Sequence, residues 1–405
     1  MPTDHALLAP SAAKRWITCT PSARVESLLP ERTSPYAEEG TVAHSTAESL
    51  LHFYLDHDMI AVYDDPWAHL QEFQLYDPDL DKLAAECLQK GFDFREILET
   101  VHDKYVRFVW EDFVKARSAD RDAALLVEQR VDLSDFVPES FGSSDAILVF
   151  ANMLKVYDLK YGRGVRVSAK GNPQMRLYAL GALWGPGETY SIDAVAMTII
   201  QPRLNAVSGE TLTVQELAQW TADVLVPAAR QAYTGQGDFV PGDHCEFCRA
   251  KATCRALAEF TQRVTTAYGD GALSADEIAA VLPKLPVIES WIAGIRGRAQ
   301  EMLEHGETVP GWKLVEGRST RRIRNEAEAR RILSEAGFQS ADYDKTELRG
   351  ITDLTRLVGG AKVFNALLGD LVEKQPGKPA LAPADDPRKD YSPAVSAEAS
   401  FAEML

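Results

Sequence analysis

The chain has 405 residues, a formal net charge of −17 and a hydrophobic share of 45%. Length suggests roughly two or three domains, and the hydrophobic share is that of an ordinary globular protein. No apolar run reads as long enough to cross a bilayer, and no basic N-terminal stretch leads into an apolar core. A cytoplasmic location is therefore expected, and the acidity argues against a chain coated in nucleic acid without excluding a nuclease.

In chain order, residues 11–27 read as a short helix and turn, 40–55 as an amphipathic helix, and 80–117 as helical by the spacing of apolar positions. The pattern then changes to three strand-like runs, 124–133, 145–150 and 153–160. Residues 172–183 return to helix, 190–201 to strand, and 213–234 form a long helix. This order predicts a mixed α/β fold, a central mixed sheet flanked by helices. Residues 1–260 then form the main domain, 261–374 a helical accessory region, and 375–405 a disordered tail rich in Pro, Ala and charge.

The run from Gly142 to Gly162 carries the chemistry. With Ala151-Asn152 as a two-residue turn, Asp145 falls directly opposite Asp158. Like charges across a strand pair are destabilising unless a cation sits between them. Lys160, two residues beyond Asp158, projects from the same face. His44 and Glu48 are four apart on a helix, as are Gln174 and Tyr178 on the helix after the hairpin. The intervening loop is Gly-rich and basic: Arg163, Arg166, Lys170 and Arg176 cluster there with Lys160, and Arg318, Arg321, Arg322 and Arg324 form a second basic group.

The order G-T-x-x-H-x-x-x-E, G-x-x-D, D-x-K-x-G, Q-x-x-x-Y resembles the RecB-like branch of the PD-(D/E)xK nucleases. That branch includes nuclease domains of bacterial recombination helicases and CRISPR-associated adaptation exonucleases. The resemblance implies a Mg2+- or Mn2+-dependent deoxyribonuclease, an exonuclease of recombination, repair or replication. By the same resemblance His44, Asp145 and Asp158 bind the metal, Lys160 is the catalytic lysine, Gln174 and Tyr178 support substrate contacts, and Glu48 contributes to the site. One departure is that no Arg follows Asp145. The phrases HALLAPSAAKRWITCTPSA and WKLVEGRSTRR are similar to an uncharacterised family common in phage genomes. DNA, as single strands or ends, and phage recombination proteins are the partners this implies.

Cys245, Cys248 and Cys254 supply three thiolates, and Cys19 a fourth from far upstream. Four cysteines suit zinc or an iron–sulfur cluster. The split, one before the core and three after it, resembles the 4Fe-4S staple of the same branch. Cys87 reads as a buried small hydrophobe. Two other functions fit the same sequence: a non-catalytic DNA-binding scaffold on a nuclease fold, and a redox sensor working through the cluster.

Overall fold

The computed structural model describes residues 6–30, 35–57, 78–162, 166–268, 272–317, 321–343, 348, 350–358, 360–374 and 380–383. The chain divides into two units, Met1–Ile288 and Glu289–Leu405.

The first unit opens with short helices α1 (Ala13–Thr18) and α2 (Ser22–Ser27), then α3 (Pro35–Asp56), α4 (Pro78–Lys90), α5 (Phe94–Val101) and α6 (Arg107–Ala119). The stretch expected as one helical run is broken at Gly91, whose φ of +74° suits glycine. Asp93 then caps α5, accepting from the Glu96 amide. Strands β1 (Ala124–Asp132), β2 (Phe141–Phe150) and β3 (Met153–Leu159) follow, then α7 (Pro173–Leu183), β4 (Ala194–Gln201) and β5 (Ala206–Thr213). Helices α8 (Val214–Trp220), α9 (Val226–Thr234) and α10 (Arg255–Thr266) complete this part.

The five strands lie in the order β1-β2-β3-β4-β5. Only β3 and β4 are parallel, joined through α7; every other pair is antiparallel. The sheet is therefore mixed and helix-flanked, as the element order implied. Both faces are covered. Ala146, Leu148, Tyr157 and Leu159 point into a core made with α3, α5 and α6. Ile147, Val149, Leu154 and Val156 point into a second core, where α7 and α9 pack. Burial on both faces explains why β2 and β3 read as continuous apolar runs rather than alternating ones. At Gly181 of α7 an added Cβ would lie 2.8 Å from the Val131 side chain, so glycine lets this helix sit close on β1.

The second unit has its own small core, including Ala329, Leu333, Leu354 and Phe364. Two short ladders accompany it, Trp312–Val315 with Ala380–Pro383 and Arg321–Ile323 with Val372–Lys374. Within 375–405, expected as a disordered tail, the strand at Ala380–Pro383 is described and the rest lies outside the described residues. One expectation needs correction. The helical stretch Ala275–Glu304 is long and, on average, apolar enough to cross a membrane by length and composition alone, and little of it is buried. The charges at Asp276, Glu277, Lys284 and Glu289 break up any unbroken apolar run, which hides this average in the sequence.

Candidate functional site

The hairpin register is the expected one: Phe150 pairs with Met153 and Ala146 with Tyr157 across the Ala151-Asn152 turn. The ladder stops there. Next along β2, Asp145 turns its carboxylate into the gap and accepts the Leu159 amide N–H at 2.6 Å. The β1–β2 ladder is interrupted at the same place, between Val127↔Ala146 and Gln129↔Ser144. The residue skipped on β1 is Glu128, at φ +45°. Leu125 and Val127 before it face the first core, whereas Val131 after it faces the second. The strand thus turns over at Glu128, and the left-handed backbone there costs about 1–3 kcal/mol outside glycine.

That reversal brings Glu128 to Asp145 and His44: one ligand atom from each, all within 4.8 Å of one another. His44 comes from α3, with its Nδ1 3.2 Å from Asp145 Oδ1. Glu48, one turn later on α3, acts on Glu128 through its charge. Asp158 on β3 is 1% exposed. Its Oδ1 accepts from Lys160 Nζ at 2.8 Å and from Gln174 Nε2 at 3.1 Å. Its Oδ2 is buried with no hydrogen-bond partner, in ion contact only with Lys160 Nζ at 2.7 Å. Asn172 caps α7, accepting from the Gln174 and Met175 amides, with Pro173 opening the first turn. This start sets Gln174 against Asp158 and places Tyr178 one turn on, where its hydroxyl accepts from Gln174 Nε2 at 3.3 Å. The structure therefore gathers His44, Asp145, Asp158, Lys160, Gln174 and Tyr178 in one place, with Glu48 at its margin. Glu128 was missed. Its sequence signal was an acid in an apolar strand, at the position opposite Asp145.

The electrostatics follow from burial and crowding. Burial opposes charge on His44, but Asp145 outweighs it and, with Asp158, holds the imidazole at about 8. Burial, with the charge of Asp145, raises Glu128 to about 7. Burial raises Asp158 too, against the pull of Lys160. Burial also acts on Asp145, but His44 outweighs it and the carboxyl is lowered.

A pH dependence results. The folded value of His44 lies above its ordinary 6.5, so its contribution to stability is complete below that pH and lost as pH rises through about 8. Glu128 is raised from 4.5 to about 7; its protonated form is favoured by the fold, and that contribution is lost as pH rises through 7. Chelator-treated protein should therefore lose thermal stability steadily between about pH 5 and pH 8.5. Thermal melts of Glu128→Gln should lack the lower part of this decline; a curve parallel to the parent would show that Glu128 is not titrating there.

Does a divalent cation fit? The donor set is mostly carboxylate oxygen, one buried Asp158 oxygen has no hydrogen bond, and like charges converge with few cations among them. Each of these suits a hard cation, and the imidazole of His44 favours Mn2+ over Mg2+.

Cys19, Cys245, Cys248 and Cys254 line one cavity of about 230 Å³. Among the described residues, no three of these sulfurs lie within 4.8 Å of one another. Cys87 is fully buried in the first core.

The basic groups are partly committed elsewhere. Arg176 pairs with Glu210 and lies over Trp220. Arg322 pairs with Glu373, Arg324 donates to the Asp370 carbonyl, and Arg321 lies over Phe364. Arg166 and Lys170 are exposed, whereas Arg163 and Arg318 lie outside the described residues.

Compared with known families, residues 5–389 match the one described as "Protein of unknown function (DUF2800)". The chain belongs to the DUF2800 family. This accords with the resemblance to an uncharacterised family seen in its N-terminal phrase and in the segment 312–322. Among solved structures, one titled "Crystal structure of SSO0001" is 13% identical, covering 61% of this chain and 95% of that one. Its TM-score of 0.22 is too low to carry anything across.

Proposed function

We propose that this DUF2800 member is a metal-dependent DNA nuclease of the RecB-like kind, acting in the cytoplasm on single strands or DNA ends. The observation that carries the reading is the buried Asp158 carboxylate, bridged to Lys160 and Gln174 beside a His44–Glu128–Asp145 cluster. Such a cluster is costly to build for stability alone, since its acids repel one another in a poorly solvated place.

His44, Glu128, Asp145 and Asp158 are the residues that would hold Mn2+ or Mg2+. When bound, the ion supplies an activated water near neutral pH and offsets charge on a phosphoryl group. The chain's own groups do the rest. Lys160 favours the ionised form of Asp158 against its burial and brings a positive charge beside the place where a phosphate must sit. Gln174 fixes the Asp158 carboxylate, and Tyr178 fixes Gln174. Exposed Arg166 and Lys170, on the loop before α7, are suited to steering the phosphate backbone. For the four cysteines we propose a 4Fe-4S cluster rather than zinc, because all four line one cavity and Cys19 stands alone far upstream instead of forming a second paired knuckle.

The test is an assay on end-labelled single-stranded and duplex DNA with Mg2+, Mn2+ or chelator. Cutting is expected only with metal, and Asp158→Ala should cut at least about 1000-fold more slowly. Parental cutting by Asp158→Ala, or cutting in chelator, would overturn the reading.

A further inference from the structure

We propose that Tyr105 completes the carboxylate cluster, its phenol held in place to donate a hydrogen bond to a water bound there; this rests on the metal-site reading above. Tyr105 is fully buried, and its hydroxyl has no hydrogen-bond partner among the described residues. Buried phenols are normally partnered, so an orphan needs a reason. Tyr105 shares the first core with Ala146, Tyr157 and Leu159, the chain neighbours of Asp145 and Asp158, and the carboxylates that bear on its hydroxyl are, in order, Asp145, Asp158 and Glu128. Burial first, and then those carboxylates, push its ionisation well above the ordinary tyrosine value, so it keeps its proton and stays a donor.

The backbone is arranged for this. Tyr105 lies in a π-helical turn, His102–Val106, set between α5 and α6, where the Arg107 amide reaches back to the His102 carbonyl. Such turns shift side chains out of α-helical phase and recur at functional sites. The turn packs on α3, which carries His44. It is fastened by His102, whose Nε2 bonds the Tyr54 hydroxyl and whose Nδ1 bonds Asp103. The ring packs in the first core. A divalent ion in a site of this kind retains waters, and carboxylates can only accept hydrogen bonds. A neutral donor such as Tyr105 supplies what they lack.

The experiment is Tyr105→Phe, which removes one oxygen and keeps the ring. Two quantities are measured without nucleic acid: the melting midpoint in chelator, and Mn2+ affinity by calorimetry. The variant should melt no lower than the parent, because an unpartnered buried hydroxyl is removed. Its Mn2+ affinity should fall roughly tenfold, as for groups that support metal ligands indirectly. A lowered midpoint with unchanged affinity would overturn the proposal and make Tyr105 a packing residue. A parent protein that binds no Mn2+ would overturn both this and the metal site. A parent that binds Mn2+ but cuts no DNA would overturn only the nuclease reading, with the Tyr105 difference still expected.

Discussion

Lys160→Met is expected to lower DNA cleavage by about 1000-fold or more and to weaken Mn2+ binding with it. The lysine ammonium touches both oxygens of Asp158, a carboxylate 1% exposed. Burial and the nearby Asp145 already push Asp158 toward its neutral form, and Lys160 is the group that opposes them most. Methionine keeps the length of the stem but not the charge. Asp158 should then take up a proton, and a carboxylic acid is a poor ligand for a hard cation. Protonation also limits the damage to the fold. Stranding a buried charge costs about 3–5 kcal/mol, but a group that neutralises avoids part of that cost. Lys160→Met should therefore stay folded, with its stability improving relative to the parent as pH falls. Lys160→Arg keeps the charge and should recover Mn2+ affinity more than it recovers rate, because the planar fork does not place a point charge where the ammonium sat. Steady-state cleavage of labelled DNA alongside calorimetry decides this; Lys160→Met within twofold of the parent rate would remove Lys160 from the site.

The sheet and the hairpin were legible because their apolar runs and turn fixed a register, and that register placed Asp145 across from Asp158. What was not legible depends on departures from periodicity. Gly142, Ser143 and Ser144 have little strand propensity, yet they extend β2 because β1 pairs with them. The edge strand β5, AVSGETLT, alternates burial but carries Ser and Gly, so nothing marked it as strand beforehand. Glu128 was hidden for a different reason. Regular alternation puts it opposite in phase to Val127, and only the left-handed turn of one residue redirects it. The π turn that sets Tyr105 has no sequence signature at all. The cysteines were the reverse case. The resemblance to a family with one cysteine before the core and three after it suggested that distant Cys19 joins the other three, and all four line one cavity.

That cavity carries the second large effect. Protein prepared without oxygen is expected to be brown and to contain iron and sulfide, and Cys19→Ser to be colourless and less stable. Cys19 ends α1, Cys245 and Cys248 lie at a short 3-10 turn, and Cys254 caps α10. A group held by all four ties the start of the unit to a segment more than 200 residues later. Burial raises the thiols of Cys19 and Cys245 and pushes Cys248 up to about 12. Binding as thiolates must then release protons, so occupancy should rise with pH. The join does not rest on the cysteines alone. Lys14 pairs with Asp243, Glu26 takes both Arg15 and the Arg249 amide, and Thr20 donates to the Gln236 carbonyl. Cys19→Ser should therefore fold, with a melting midpoint lower by roughly 5 °C or more, the shift expected for a loss of about 3 kcal/mol. Cys87→Ala, altering a buried residue of the other core, should keep its iron. Metal analysis of the three proteins separates the possibilities. One zinc per chain in colourless parent protein would reject the cluster, and iron kept by Cys19→Ser but lost by Cys87→Ala would mean that the fourth ligand is Cys87.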